Sequence, residues 1–416
     1  MRVCIHRGTQ EIGGSCIEIE ANGKRIVLDL GLPLTAGPED SPEDFFPLVK
    51  GLREPADDLL ALLISHPHQD HYGLASLARP DLPVLIGDAA RRILEVARQF
   101  TPSGLAPNVF TPLRDRELLS LGPFRITPYL VDHSAYDAYA MLVDCNGKRL
   151  LYSGDFMGHG RKARVFERFL QDPPGDIDVL LMEGTTISRN AKARRFASED
   201  ELEAEFAEYF RATQGLALVW SSGQNIDRLV TIFRACKRAG RQFIIDLYTA
   251  EILRATGNPR VPQGTWDGIR VFLPRSQRNR VKERGLFDEV NRYRANRIYP
   301  QDLAKAASHS VMLFRPGLMR ELDAADCLKD SRLAYSLWQG YLRDPRQARF
   351  MAWLRERSIP IEMIHTSGHA SPDDLSRFAQ AVGAKYLVPI HTFAPEAFSD
   401  LFPRVEQKED GIWWDV

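Results

Sequence analysis

The sequence predicts an α/β protein whose chemistry sits at strand ends, and three observations predict it. Residues 1–60 read as short alternating strands joined by turn signals. From about 195 the pattern changes to alternating helix and strand, which suggests βαβ units and a parallel sheet. Near 358 short apolar strands return, now bearing His. The 416 residues are enough for two or three domains of ordinary size. With 44% hydrophobic and 26% charged residues, wholesale disorder and collagen-like repeats are excluded.

Taken in order, Ser15–Ala21 alternates as a half-buried strand, Asn22-Gly23 is a hairpin turn, and Arg25–Gly31 is the second strand. Leu59–Ser65 is an apolar strand that runs into a His-rich segment. A helical pattern covers about 86–99. Strands follow near 124–130, 138–144 and 149–153, with Asn146-Gly147 as a turn, and Asp178–Met182 is a further buried strand. Glu199–Thr213 is an amphipathic helix with acidic first turns, which suits the helix dipole. Leu216–Trp220 and Phe243–Leu247 read as strands, and Asn225–Ala239 and Ala250–Thr256 as helices. Glu362–His365 and Tyr386–His391 are the late strands.

Several function classes are excluded early. No apolar run approaches the roughly 18 residues that span a bilayer, so no membrane role is expected. The N-terminal segment lacks an apolar signal core. The five Cys form no CxxC pair, which argues against a disulfide framework and a Cys4 site and favours a reducing cytoplasm.

The strongest chemical signal is His66-Pro67-His68-Gln69-Asp70-His71, with three imidazoles and a carboxylate within six residues. Imidazole suits zinc, and a carboxylate adds charge. Ligands at this spacing in a loop can face two adjacent ions. His133 and Asp155 each follow an apolar strand. Alone, a strand-end Asp is more often a cap and a lone His more often a satisfied polar residue. With the 66–71 cluster they complete a set. Three His plus Asp155 could hold one ion, and Asp70, His71, Asp155 and one more His a second, with a carboxylate shared between them.

These motifs resemble the metallo-β-lactamase superfamily: the His-x-His-x-Asp-His run, a later His, and Ser153-Gly154-Asp155. Gly8–Cys16 and Val27–Gly31 resemble its opening hairpin. Met182-Glu183-Gly184-Thr185, His365–Ala370 and Pro389-Ile390-His391 resemble the three further motifs of its β-CASP branch. The resemblance implies an αββα sandwich from 1–194 and 358–416, with a smaller α/β β-CASP domain of 195–357 inserted and the active site in the cleft between them. It implies that His66, His68 and His133 ligate one zinc, that Asp70, His71 and His391 ligate the other, and that Asp155 bridges. It further implies that Glu183 orients His369, and that His369 contacts the scissile phosphate and acts as general acid. Asp70, Glu183 and His369 are thus the expected catalytic residues. His365 and Ser367, in the same loop as His369, are candidate phosphate contacts. The cofactors expected are two zinc ions, with manganese as the alternative.

The charge is unevenly placed. Residues 195–355 carry 27 Lys+Arg against 19 Asp+Glu, a net of +8, and the remainder of the chain is -9. Within 270–297 there are nine basic and three acidic side chains. Arg dominates, and its planar fork suits phosphate oxygens. A single Arg reads as a solvated helix face, but the whole stretch reads as a nucleic-acid track. Arg275 and Arg278 are its candidate substrate contacts, and Tyr293 and Tyr299 could stack on bases. Ser221–Arg228 reads equally as a phosphate-binding helix start and as ordinary capping. His159 is expected on a surface loop, and His6 and His309 are expected to be structural or exposed.

The resulting expectation is a zinc-dependent nuclease that hydrolyses RNA phosphodiester bonds with a metal-activated water, as an exonuclease, an endonuclease or both. Its partner is single-stranded RNA, with DNA and a homo-oligomer left open. The alternatives are a hydrolase of DNA, or of a small ester or phosphodiester, using the same metal site.

Overall fold

A computed structural model describes residues 1–37, 39–189 and 194–416. The chain divides into two units, Met1–Phe196 with Gly368–Val416, and Ala197–Ser367.

The first unit starts with β1 (Arg2–Arg7), β2 (Cys16–Ala21), β3 (Lys24–Leu28), β4 (Leu59–Leu63), β5 (Val84–Gly87) and β6 (Phe110–Leu113), which lie side by side in that order. Asn22 and Gly23, with φ of +51° and +69°, make the tight turn between β2 and β3. β1 to β3 pair antiparallel, and β3 to β6 pair parallel. A second sheet holds β7 (Leu119–Leu121), β8 (Phe124–Val131), β9 (Ala138–Cys145), β10 (Lys148–Tyr152) and β11 (Val179–Glu183). The inward faces of the two sheets make one core, with Val3, Ile5, Ile17, Ile26 and Leu63 from the first and Ile126, Met141, Leu150 and Leu181 from the second.

Helices cover the outer faces. Asp88–Phe100 places Ala90 and Leu94 against Leu62 and Ile86 of the first sheet. Ala163–Gln171 and Pro372–Val382 bring Phe166, Phe169, Leu375 and Phe378 onto Leu142 and Leu180 of the second. The layers therefore run helix, sheet, sheet, helix, the αββα order the sequence implies.

The second unit is a parallel sheet of β12 (Ala217–Trp220), β13 (Gln242–Asp246), β14 (Ile269–Phe272), β15 (Arg297–Ile298), β16 (Ser310–Leu313), β17 (Arg332–Tyr335) and β18 (Ile361–Met363). Their order across the sheet is β15-β14-β13-β16-β12-β17-β18. Helix Glu199–Ala212 begins with a capping box in which Ser198 and Glu201 exchange hydrogen bonds. Arg228, in the next helix, is 1% exposed and pairs with Glu199 at 2.9 Å. That side chain is thus structural, and Asn225 caps the helix start.

The chain then re-enters the first unit. β19 (Tyr386–Ile390) lies parallel beside β11, and β20 (Trp413–Asp415) closes the first sheet against β1. The sequence reading placed the return at 358. Since β18 pairs with β17, the second unit runs on to Ser367. The helices at 275–284 and 348–356 and the edge strands β7 and β20 carry no strong periodic signal and were not among the elements read from sequence.

Candidate metal centre

The second sheet explains why distant residues converge. β8, β10, β11 and β19 all point the same way, so the residues just past them, or last in them, share one edge. Those residues are His133, Asp155, Glu183 and His391. From the facing sheet, β4 ends just before Ser65 and releases the His66–His71 loop at the same edge. This loop passes close against Gly31, where a Cβ would collide with the Asp70 carbonyl oxygen. His391 and Asp29 both take a left-handed backbone, with φ of +52° and +58°. This is uncommon for residues other than Gly and turns a side chain sharply off its strand.

Among the described residues three groups of donor atoms result, each group's atoms lying within 4.8 Å of one another: His66, His68 and His133; Asp70, His71, Asp155 and His391; and Asp155, Glu183, His369 and His391. Asp155 belongs to two of them. His66, His71, His133, Asp155, Glu183 and His391 are at most 1% exposed.

The imidazoles are held from behind. His71 Nδ1 bonds Asp29 Oδ2 at 2.8 Å, which leaves Nε2 facing Asp155 Oδ2 at 3.1 Å. His391 Nδ1 meets Thr185 Oγ1 at 2.8 Å, and its Nε2 faces Asp70 Oδ2 at 3.3 Å. His66 Nδ1 meets Ser65 Oγ at 3.0 Å, while its Nε2 is buried without a hydrogen-bond partner among the described residues. Anchoring one ring nitrogen fixes the tautomer and aims the other. Asp29 is the hub of this support, since it also accepts from Ser65 N at 2.6 Å and from the Tyr152 hydroxyl.

Electrostatics leave the site ready for cations. Burial foremost, then neighbouring imidazoles, holds His66 and His133 well below the usual histidine range. Burial also brings His68 down to about 4, against the upward pull of Asp70 and Asp155. Burial would raise Asp155, but His391, His71 and His369 outweigh it and keep it ionised well below the usual carboxylate range. Burial likewise raises Asp70, and His71 and His391 reverse the shift. Burial would lower His71, but Asp155, Asp29 and Asp70 overcome it and push it up. His66, His68 and His133 are thereby neutral beside ionised carboxylates, which is what a divalent ion binds, while at His71 an ion would take the place of the proton that the surrounding carboxylates hold.

The residues fit such ions. A tetrahedral ion with bonds of about 2.1 Å spaces its donors by about 3.4 Å. His68 Nδ1 and His133 Nε2 lie 3.2 Å apart, and the Nε2 separations from carboxylate given above are similar. The orphaned His66 Nε2 and Asp155 Oδ1 are buried polar atoms that need a partner.

His369 closes the rim. Its Nδ1 lies 3.5 Å from Glu183 Oε1 and 3.5 Å from Asp155 Oδ2. Glu183 is itself fixed, accepting from Thr185 N at 3.1 Å and from Phe156 N at 3.3 Å. His365 and Ser367, like Arg275 and Arg278, belong to the second unit. There Arg275 and Arg278 line a cavity of about 720 Å³ together with Arg320. His159 is a correction to the sequence reading: it is buried, with Nδ1 3.8 Å from Asp374 Oδ2, and packs on the Phe196 ring. Tyr293 is another, 2% exposed and bonded to Glu251 at 2.7 Å, so it is not a stacking platform. Sequence reasoning missed Asp29, Ser65 and Thr185 as supports. The signal for Asp29 was a lone carboxylate ending an apolar strand.

Comparisons with known proteins agree with this picture. A model of the beta-lactamase superfamily domain matches residues 25–261. Ribonuclease J of Mycobacterium tuberculosis is 27% identical over 261 residues, covering 58% of this chain and 44% of that protein. Ribonuclease J of Mycoplasma genitalium is 22% identical over 396 residues, covering 92% of this chain and 66% of that protein. The chain thus corresponds to less than two thirds of the length of these relatives. A crystal structure of a protein of unknown function from Enterococcus faecalis V583 shares the fold, with a TM-score of 0.79 at 21% identity over 99% of both chains. The chain belongs to the beta-lactamase superfamily, in the metallo-β-lactamase β-CASP family.

Proposed function

We propose that the chain is a metal-dependent ribonuclease. The observation that carries this reading is the meeting of the donor groups at Asp155, with His369 held against Glu183 beside them. His66, His68 and His133 would hold one zinc, and Asp70, His71 and His391 with Asp155 would hold the other. Manganese is the alternative ion. When bound, the two ions supply a water activated for in-line attack on phosphorus. The two carboxylates at His369 Nδ1 keep a proton there and leave Nε2 to protonate the departing oxygen. His365 and Ser367 contact the substrate phosphate, and Arg275 and Arg278 carry its flanking phosphates. The substrate is single-stranded RNA, in keeping with the printed names of the relatives and the net positive second unit. Five buried free cysteines suit a reducing cytoplasm.

The test is an assay on end-labelled 5′-monophosphate, 5′-hydroxyl and circular RNA. Metal-dependent cleavage of any of them supports the reading. Cut circles identify an endonuclease, and mononucleotides released only from linear RNA identify an exonuclease. Metal-replete protein that is inert on every RNA yet hydrolyses a small ester would overturn it.

A further inference from the structure

The parallel sheet of the second unit has two ends. At one, β18 leads out through Ile364 to His365. At the other, β13, β14 and β15 begin, about 13 Å away across a four-residue strand. The starts of those strands and the segment 302–309 line a cavity of about 580 Å³, which belongs to the second unit alone.

Its polar lining is Gln242, Arg270, Arg297, Asp302, Lys305 and His309. Among the described residues, none of the three cations has a carboxylate within ion-pair distance. Arg270 Nε donates instead to the Gln242 amide oxygen at 3.2 Å. Among the described residues Arg297 Nε is buried without a hydrogen-bond partner, and the guanidinium lies over the Tyr299 ring at 5.0 Å. The one carboxylate, Asp302, is engaged as a helix cap, accepting from Tyr299 N at 3.2 Å. A buried, unsatisfied guanidinium N–H is unfavourable unless something accepts from it.

A cavity for an apolar molecule would have apolar walls. Three cations against one carboxylate leave the lining net positive, and with an imidazole beside them they select an anion with several acceptor oxygens. Tyr299, 44% exposed, adds a ring on which a base can stack. Phosphate acceptors beside a stacking ring describe a nucleotide unit. We propose that this cavity is a second RNA-binding site, in which Arg270, Arg297 and Lys305 take the phosphates of a single-stranded segment and Tyr299 takes a base. The proposal rests on the ribonuclease reading for its choice of RNA, and places a grip on the strand at a site built without any residue of the metal centre.

The experiment is fluorescence anisotropy of a labelled 20-nucleotide single-stranded RNA with full-length protein, in a His369→Ala background so that binding is read without cleavage. Arg297→Ala with Lys305→Ala should weaken binding about tenfold and lower the slope of log affinity against log salt by about 1.4, as expected for two lost phosphate contacts. The charge-matched control, Arg349→Ala with Arg355→Ala, should change affinity less than about twofold. Lys305→Ala alone, on an exposed side chain, should lower the slope by about 0.7 with an unchanged melting temperature. RNA affinity equal to that of the control pair would overturn the proposal, as would cavity variants that lose inorganic phosphate or ATP binding while RNA binding is unchanged. Because no cleavage is required, a chain that binds RNA through this cavity but cuts none refutes the ribonuclease reading and leaves the site standing.

Discussion

The two units use charge in opposite ways. The first, Met1–Phe196 with Gly368–Val416, carries 27 basic and 34 acidic residues; the second, Ala197–Ser367, carries 27 basic and 21 acidic. In the first, the decisive charges are buried. Asp29, Asp155 and Glu183 are at most 1% exposed; Asp29 and Glu183 each accept several hydrogen bonds, and Asp155 Oδ2 faces His71 Nε2. In the second, the surplus sits largely at the surface, on residues such as Arg270, Arg275, Arg278 and Lys305. Buried charge makes a site of fixed geometry, in which losing one member leaves its partners uncompensated. Surface charge makes a graded field that salt screens. Substitutions in the first unit should therefore act nearly all-or-none, and those in the second in small additive steps.

The largest effect is expected at Asp155, which two donor groups share. Asp155→Asn should lower RNA turnover by about 10³-fold or more and reduce bound metal, as read by mass spectrometric metal analysis. An unchanged metal content would break the contrast at its strongest point. Next is Asp29→Asn, which touches no candidate ion but frees His71 Nδ1. A loss of about 10–100-fold in metal affinity is expected from competition with a chelator. In the second unit, Arg275→Ala with Arg278→Ala should raise KM a few-fold and flatten its salt dependence while kcat holds. A collapse of kcat would mean that the second unit also works through fixed geometry.

The smallest effect concerns stability. Burial would lower His6, but Cys4 and Glu18 outweigh it and push the imidazole up to about 9. Its Glu18 partner lies at 2.7 Å. Because the folded value is raised, this contribution is fully present below about 6.5 and is lost as pH climbs towards 9. His6→Gln should thus lower stability by about 1 kcal/mol at pH 6 and by little at pH 9, measured by denaturant unfolding.

The same contrast governs what was legible in the sequence. The candidate ligands were legible in part because metal chemistry demands particular residue types, and His66–His71, His133 and Asp155 follow apolar strands; His391 entered through the resemblance to the β-CASP branch. Alternation marked β2 and turn signals marked its hairpin with β3, whereas the αββα layering followed from the resemblance to the metallo-β-lactamase superfamily. The supports were not legible, since Ser65 and Thr185 act through single hydroxyls and Asp29 through a left-handed backbone. No residue-type rule marks these. The end of the second unit was misplaced because β18 is only three residues long and leads into His365, so its chemistry outweighed its pairing. His159 and Tyr293 were misread for a related reason: burial on a loop or a short helix depends on tertiary neighbours such as Asp374 and Glu251, which local pattern does not encode.

The most direct measurement of the central claim is the rate of single-stranded RNA cleavage by His369→Ala against the native protein at matched metal content. The account expects about two ions per chain in both proteins and a loss of about 10²–10⁴-fold in the variant, the range for removing a general acid. Equal rates at equal metal content would contradict it, because His369 beside Glu183 would then take no part in the reaction.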